Sequence, residues 1–115
     1  MKYLIKESKF EKLVTDYINE LFPIDKLNYS YYFDDDGEED HNAMRFSLNY
    51  SDEPCFRWYR SEYFYAHADI KNRAPVIVMD DNYLLSLNGY FGDGWHEPFK
   101  KWLMENFNLP VKTIE

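Results

Sequence analysis

The sequence predicts an α+β fold: a mostly antiparallel sheet of about four strands, with an N-terminal and a C-terminal helix packed on it. Three observations lead there. Residues 10–21 and 95–107 repeat apolar side chains at the three-and-four spacing of one helix face. Residues 27–33 and 44–50 instead alternate apolar and polar, the period of a half-buried strand. "VIVM" (Val76–Met79) is a short, continuously apolar run of the kind that fills an interior strand. At 115 residues, 45% of them apolar and 20% aromatic, the chain suits a single domain, 1–115, with a real core.

The elements follow in order. In "SKFEKLVTDYINELFP", Phe10, Leu13, Val14, Tyr17, Ile18 and Leu21 form one stripe. Ser8 and Glu11 have capping-box spacing and Pro23 forbids continuation, so a helix is expected over about 9–21. Leu27, Tyr29, Tyr31 and Phe33 then share one strand face, and Met44, Phe46, Leu48 and Tyr50 share another. Joined by a polar segment, these two strands make an antiparallel hairpin with the acidic run 34–40 at its tip. A third strand is expected over about 55–61, with a helical turn after it.

"NYLLSLNGYFG" reads two ways. As a helix it aligns Leu84, Leu87 and Phe91, capped by Asp80 or Asp81 and ended by Gly92. As strands, Asn88-Gly89 would be a hairpin turn. The leucines favour the helix, although Gly89 inside it costs about 1 kcal/mol against Ala. Finally Trp95, Phe99, Trp102, Leu103 and Phe107 make a last helical stripe. Pro98 fits its first turn, Pro110 stops it, and "VKTIE" remains as an edge strand. Phe10, Leu13, Tyr17, Trp102, Leu103 and Phe107 are expected to be buried where both terminal helices cover the sheet.

Composition removes several function classes. No apolar run approaches the roughly 20 residues of a membrane-spanning helix. "MKYLIKESKF" breaks into charge too soon for a signal peptide, and the lone Cys55 forms no internal disulfide, so a cytoplasmic location is expected. A net charge of −8 opposes direct binding to nucleic acid or to anionic membranes. That charge is local. Leu27–Phe56 holds eight acids and one base, whereas the other 85 residues hold 13 acids and 12 bases.

The acidic run itself, Asp34, Asp35, Asp36, Glu38, Glu39 and Asp40 around Gly37, has three readings. As an EF-hand loop with Gly37 at position 6, Tyr32 falls at position 1 and Ala43 at position 12, so both end ligands fail. As a solvated turn it has the commonest fate of such runs. As a mimic of phosphates, its carboxylates would enter a basic groove on a protein that handles nucleic acid, with charge steering the encounter. In size and acidity the chain resembles the inhibitors with which phages and mobile genetic elements block glycosylases, restriction enzymes or CRISPR effectors. The likeness is one of composition and carries no motif. It implies a basic protein surface as partner. Asp52 and Glu53 add charge to the segment, and Tyr32 and Tyr59 are the aromatics expected to flank the contact.

Other chemistry is thin. His67 and Asp69 have a spacing seen in metal sites, yet the sequence offers no zinc-type histidine pair and no second cysteine, so no metal or cofactor is expected. Cys55 between Pro54 and Phe56 reads as a small buried apolar residue rather than a nucleophile. "FGDGW" lacks the lysine of a phosphate-binding loop. A non-enzymatic binding protein is therefore expected. The second reading is a structural or assembly component that uses aromatic interfaces, given Tyr59, Tyr63, Tyr65 and their neighbours.

Overall fold

The structure, a computed structural model, describes residues 2–33, 36–49, 51–60 and 74–115. In chain order these form α1 (Lys2–Leu21), a 3₁₀ turn (Ile24–Lys26), β1 (Leu27–Phe33), β2 (Glu39–Leu48) and β3 (Phe56–Tyr59). Then come β4 (Val76–Met79), α2 (Asp81–Phe91), α3 (His96–Phe107) and β5 (Thr113–Ile114). The sheet order is β1-β2-β3-β4-β5. Its first three pairings are antiparallel and β4–β5 is parallel. The fold is α+β as expected, with five strands because the C-terminal tail joins the sheet. Parallel neighbours need a long crossover, and α2 and α3 supply it between β4 and β5.

One face of the sheet carries the main core. Leu27, Met44, Phe46, Phe56, Trp58, Ile77 and Met79 meet Val14, Ile18 and Phe22 of the α1 segment and Phe99, Trp102 and Leu103 of α3. Aromatic rings fill this seam: Phe46 stacks on Phe56 at 4.5 Å and Phe22 meets Phe56 at 5.1 Å. Among the described residues the opposite face carries a smaller cluster, Ala43, Tyr59 and Val76 flanked by Tyr32 and Val78. β4 lies between β3 and β5 and buries three of its four residues, which accounts for its unbroken apolar run.

α1 begins at Lys2, not near Lys9, so Ser8 and Glu11 sit inside the helix and do not mark its start. Lys2–Glu7 holds no Gly or Pro, and nothing in its sequence stops the helix from reaching back. Val14, Ile18 and Phe22 face the sheet, while Leu13 is 61% exposed and Phe10 38% exposed. Both were expected in the core. Leu13 lies about 100° round the helix from Val14, beyond Tyr17, where neither the sheet nor α2 reaches. Phe10 instead leans over the α2–α3 turn. Its ring meets Phe91 edge-on at 5.7 Å and comes within 3.0 Å of where a Cβ on Gly94 would stand, so this approach needs glycine. Tyr17 and Phe107 are half-buried.

The stretch 81–91 is the helix α2. Asp80 caps it by accepting a bond from the Asn82 amide at 3.2 Å, and Gly92, at φ 61°, closes it. α3 ends on Asn108 at φ 56°, a left-handed position that asparagine tolerates. The indole of Trp58 donates to the Pro110 carbonyl at 2.9 Å, tying the sheet to the chain that follows α3. The helical turn expected after β3 falls outside the described residues, as do Tyr50, Tyr63, Tyr65, His67 and Asp69.

Candidate partner-binding surface

The β1–β2 hairpin forms as expected, and among the described residues its tip extends past the end of β3. β3 pairs with β2 over residues 43–46, so among the described residues Glu39 and Asp40 have β1 alone as a strand partner. The register slips here. Tyr31 pairs with Met44, but Tyr32 pairs with Asp40, which leaves His41, Asn42 and Ala43 as a bulge in β2. Bulges sharpen the local twist and re-aim a strand end. His41 occupies the bulge by stacking on Tyr31 at 4.4 Å, and its Nε2 lies 3.3 Å from Glu39 Oε2. Gly37 makes the turn at φ 81°, a backbone state that side chains resist.

Of the six tip acids, Asp36, Glu38 and Glu39 are exposed. Glu39 and Asp40 belong to β2 rather than to the loop, because the strand starts earlier than its apolar alternation suggested. Asp34 and Asp35 lie outside the described residues. Phe33, beside the turn, is 66% exposed.

Two expected contributors are displaced. Asp52 and Glu53 are exposed but sit in the β2–β3 connection, at the far end of β2 from the tip. β2 is 10 residues long. At about 3.3 Å per residue its ends are on the order of 30 Å apart. Interactions between exposed charges are screened beyond about 8 Å at physiological salt, so the two groups of acids act separately. The loop backbone is locally tied: Arg45 donates to the Asp52 main-chain carbonyl at 2.6 Å, and the Glu53 amide donates to Ser51 Oγ at 3.2 Å. Tyr59 is 3% exposed, packed with Ala43 and Val76 on the opposite sheet face, and offers no contact surface. Tyr32 is half-buried against the same cluster.

The remaining candidates have structural roles. Cys55 is buried, its thiol donates to the Phe46 carbonyl at 3.2 Å, and burial pushes its pKa up to about 11. A thiol held neutral in this way is not a nucleophile near pH 7. Asp80 is the α2 cap. Among the described residues no three His, Cys, Asp or Glu side chains converge on a common point.

Reading the chain in order missed one feature. Between β1 and the C-terminal end of α3 lies an open groove of about 670 Å³, lined by Tyr29, Tyr31, Met44 and Phe107 with Glu39 and Glu105. Its walls come from segments more than 60 residues apart, so no local pattern announces it. The paired Tyr29 and Tyr31 on a strand beginning the sheet were the available signal.

Comparison with protein-family models, with curated protein sequences and with solved structures finds no match to this chain.

Proposed function

We propose that this chain is a small, cytoplasmic, non-enzymatic binding protein that presents the β1–β2 tip to a basic surface of a protein partner, such as the nucleic-acid groove of an enzyme it inhibits. The observation that carries the reading is the placement of the charge. Exposed Asp36, Glu38 and Glu39 ride on a two-stranded ribbon that extends past the end of β3 among the described residues, beside the exposed ring of Phe33. Carboxylates on a projecting ribbon steer encounter with a positive patch and can enter a groove.

The test is to replace Asp34, Asp35, Asp36, Glu38, Glu39 and Asp40 with Asn or Gln. Exposed like charges repel, so the fold should hold or gain slightly. Binding partners captured from lysate by the native chain at low salt should be released at high salt and should not be captured by the neutralised chain. A neutralised chain that associates with the same partner at unchanged rate and affinity refutes the proposal.

A second reading rests on a different observation. Leu13, Leu85 and Tyr90 are exposed large apolar side chains on α1 and α2, and Tyr90 packs on Tyr17 at 5.1 Å. Such a surface suits an assembly subunit, and salt-insensitive self-association would favour that role.

A further inference from the structure

We propose that the groove between β1 and the end of α3 receives an extended, basic segment of the partner, which adds as a strand to the β1 edge and seats an arginine between the tyrosines and the two glutamates. This rests on the binding function proposed above and names the part of the partner that the site would hold.

The first argument is the edge. β1 stands at the end of the sheet order. The bond from the Asn49 amide to the Lys26 carbonyl sets the phase of the β1–β2 ladder. Asn28 and Ser30 therefore turn their backbone groups toward β2, and Tyr29 and Tyr31 turn theirs outward. "LNYSYYF" contains no lysine and no proline, the residues with which exposed edges are usually blunted. Among the described residues no strand pairs with this edge, and an open edge of this length is the template for strand addition.

The second argument is the groove's chemistry. Tyr29 and Tyr31 share the helix-side face, and Phe107 supports Tyr29 edge-on at 5.0 Å. Glu39 and Glu105 add carboxylates. Helix C-termini carry partial negative charge and commonly place bases in the last turn, yet the last turn of α3 contains Glu105 and no basic residue. Aromatic faces, two carboxylates and a helix C-terminus all favour a cation. Arginine suits them best, since its planar guanidinium stacks on a ring while its edge forks to carboxylate oxygens. The Glu39 contact with His41 is exposed and long at 3.3 Å, so a guanidinium can share that carboxylate.

The third argument is continuity. β1 continues from the groove to the acidic tip, past the β2 bulge opposite Tyr31 and Tyr32. A strand laid along it points alternate side chains to the groove face, so arginines at every second position would meet first the tyrosines and then the tip acids.

The probe is a capped hexapeptide of alternating arginine and valine, titrated into the isotopically labelled native chain, with the glutamate–valine peptide as control. The arginine peptide should shift Tyr29, Tyr31 and Glu105–Asn108, and should slow solvent exchange of the Tyr29 and Tyr31 amides. Tyr31→Ala with Glu105→Gln should weaken it roughly tenfold, as loss of an anchoring contact does. Neutralising Asp36 and Glu38 should slow association but leave the groove shifts in place. Shifts confined to the tip overturn the groove and leave the acidic-tip proposal standing. An arginine peptide that binds nowhere at low salt overturns both. Equal binding of the glutamate peptide overturns the charge argument. The map on the native chain decides even if a variant misfolds.

Discussion

Trp102→Ala tests the helix-on-sheet seam directly. Trp102 is 3% exposed, stacks on Phe99 at 5.7 Å and 15°, and meets Phe22 at 6.3 Å and Phe107 at 5.6 Å. Its indole N–H donates to Asn19 Oδ1 of α1 at 2.8 Å. A buried tryptophan hides roughly 200 Å². At about 25 cal/mol per Å² that is on the order of 5 kcal/mol of transfer free energy, reduced by whatever collapse fills the hole. Measured truncations of this kind fall at about 3–5 kcal/mol. Against a whole-domain stability of about 5–15 kcal/mol, such a loss would be large. Trp102→Phe separates the contributions. It keeps a ring on Phe99 but loses the bond to Asn19, whose exposed side chain can turn to water, so about 1–2 kcal/mol is expected. The assay is urea unfolding followed by the fluorescence of Trp58 and Trp95, with the slope checked for constancy. An alanine variant within about 1 kcal/mol of the native chain would refute the packing described for α3.

Further outcomes are expected. Ile18→Ala should cost about 2–5 kcal/mol, while Leu13→Glu should change stability by no more than about 0.5 kcal/mol in urea melts, because the first is enclosed and the second faces solvent. Cys55 should resist iodoacetamide at pH 8 in the folded chain and react fully in denaturant, since burial holds the thiol neutral with its pKa up to about 11. Burial lowers the pKa of His96 below its ordinary value. The unfolded chain therefore binds that proton more readily, so stability should fall as pH drops below about 6.5, and His96→Gln should flatten that limb of the pH–stability curve.

How far the sequence reaches depends on the range of the interaction that decides each feature. Helix and strand identity rest on periodicity within a few residues, and the order of elements was legible from it, including α2 over the hairpin alternative. Periodicity gives the centre of an apolar stripe but not its width. Leu13 sits on the α1 stripe, and only the placement of α2 decides that it stays outside. Alternation likewise assigns Tyr59 to a face without saying whether that position is buried, and it is buried, between its cross-strand partners Ala43 and Val76.

The acidic segment shows the same limit more sharply. Counted along the chain, Asp52 and Glu53 lie close to Asp40, and one negative patch is the natural reading. A strand separates them, and a strand is the most extended form the backbone takes, so neighbours in sequence come to lie at opposite ends of β2. The groove is the converse case: Tyr29 and Glu105 are remote in sequence and adjacent in space because Phe107 at the end of α3 docks on Tyr29 and Phe46. Charge that composition assigns to one segment is thereby divided in two. One of the tip acids, Glu39, lines the aromatic groove beside the end of α3, whereas Asp52 and Glu53 lie in the β2–β3 connection.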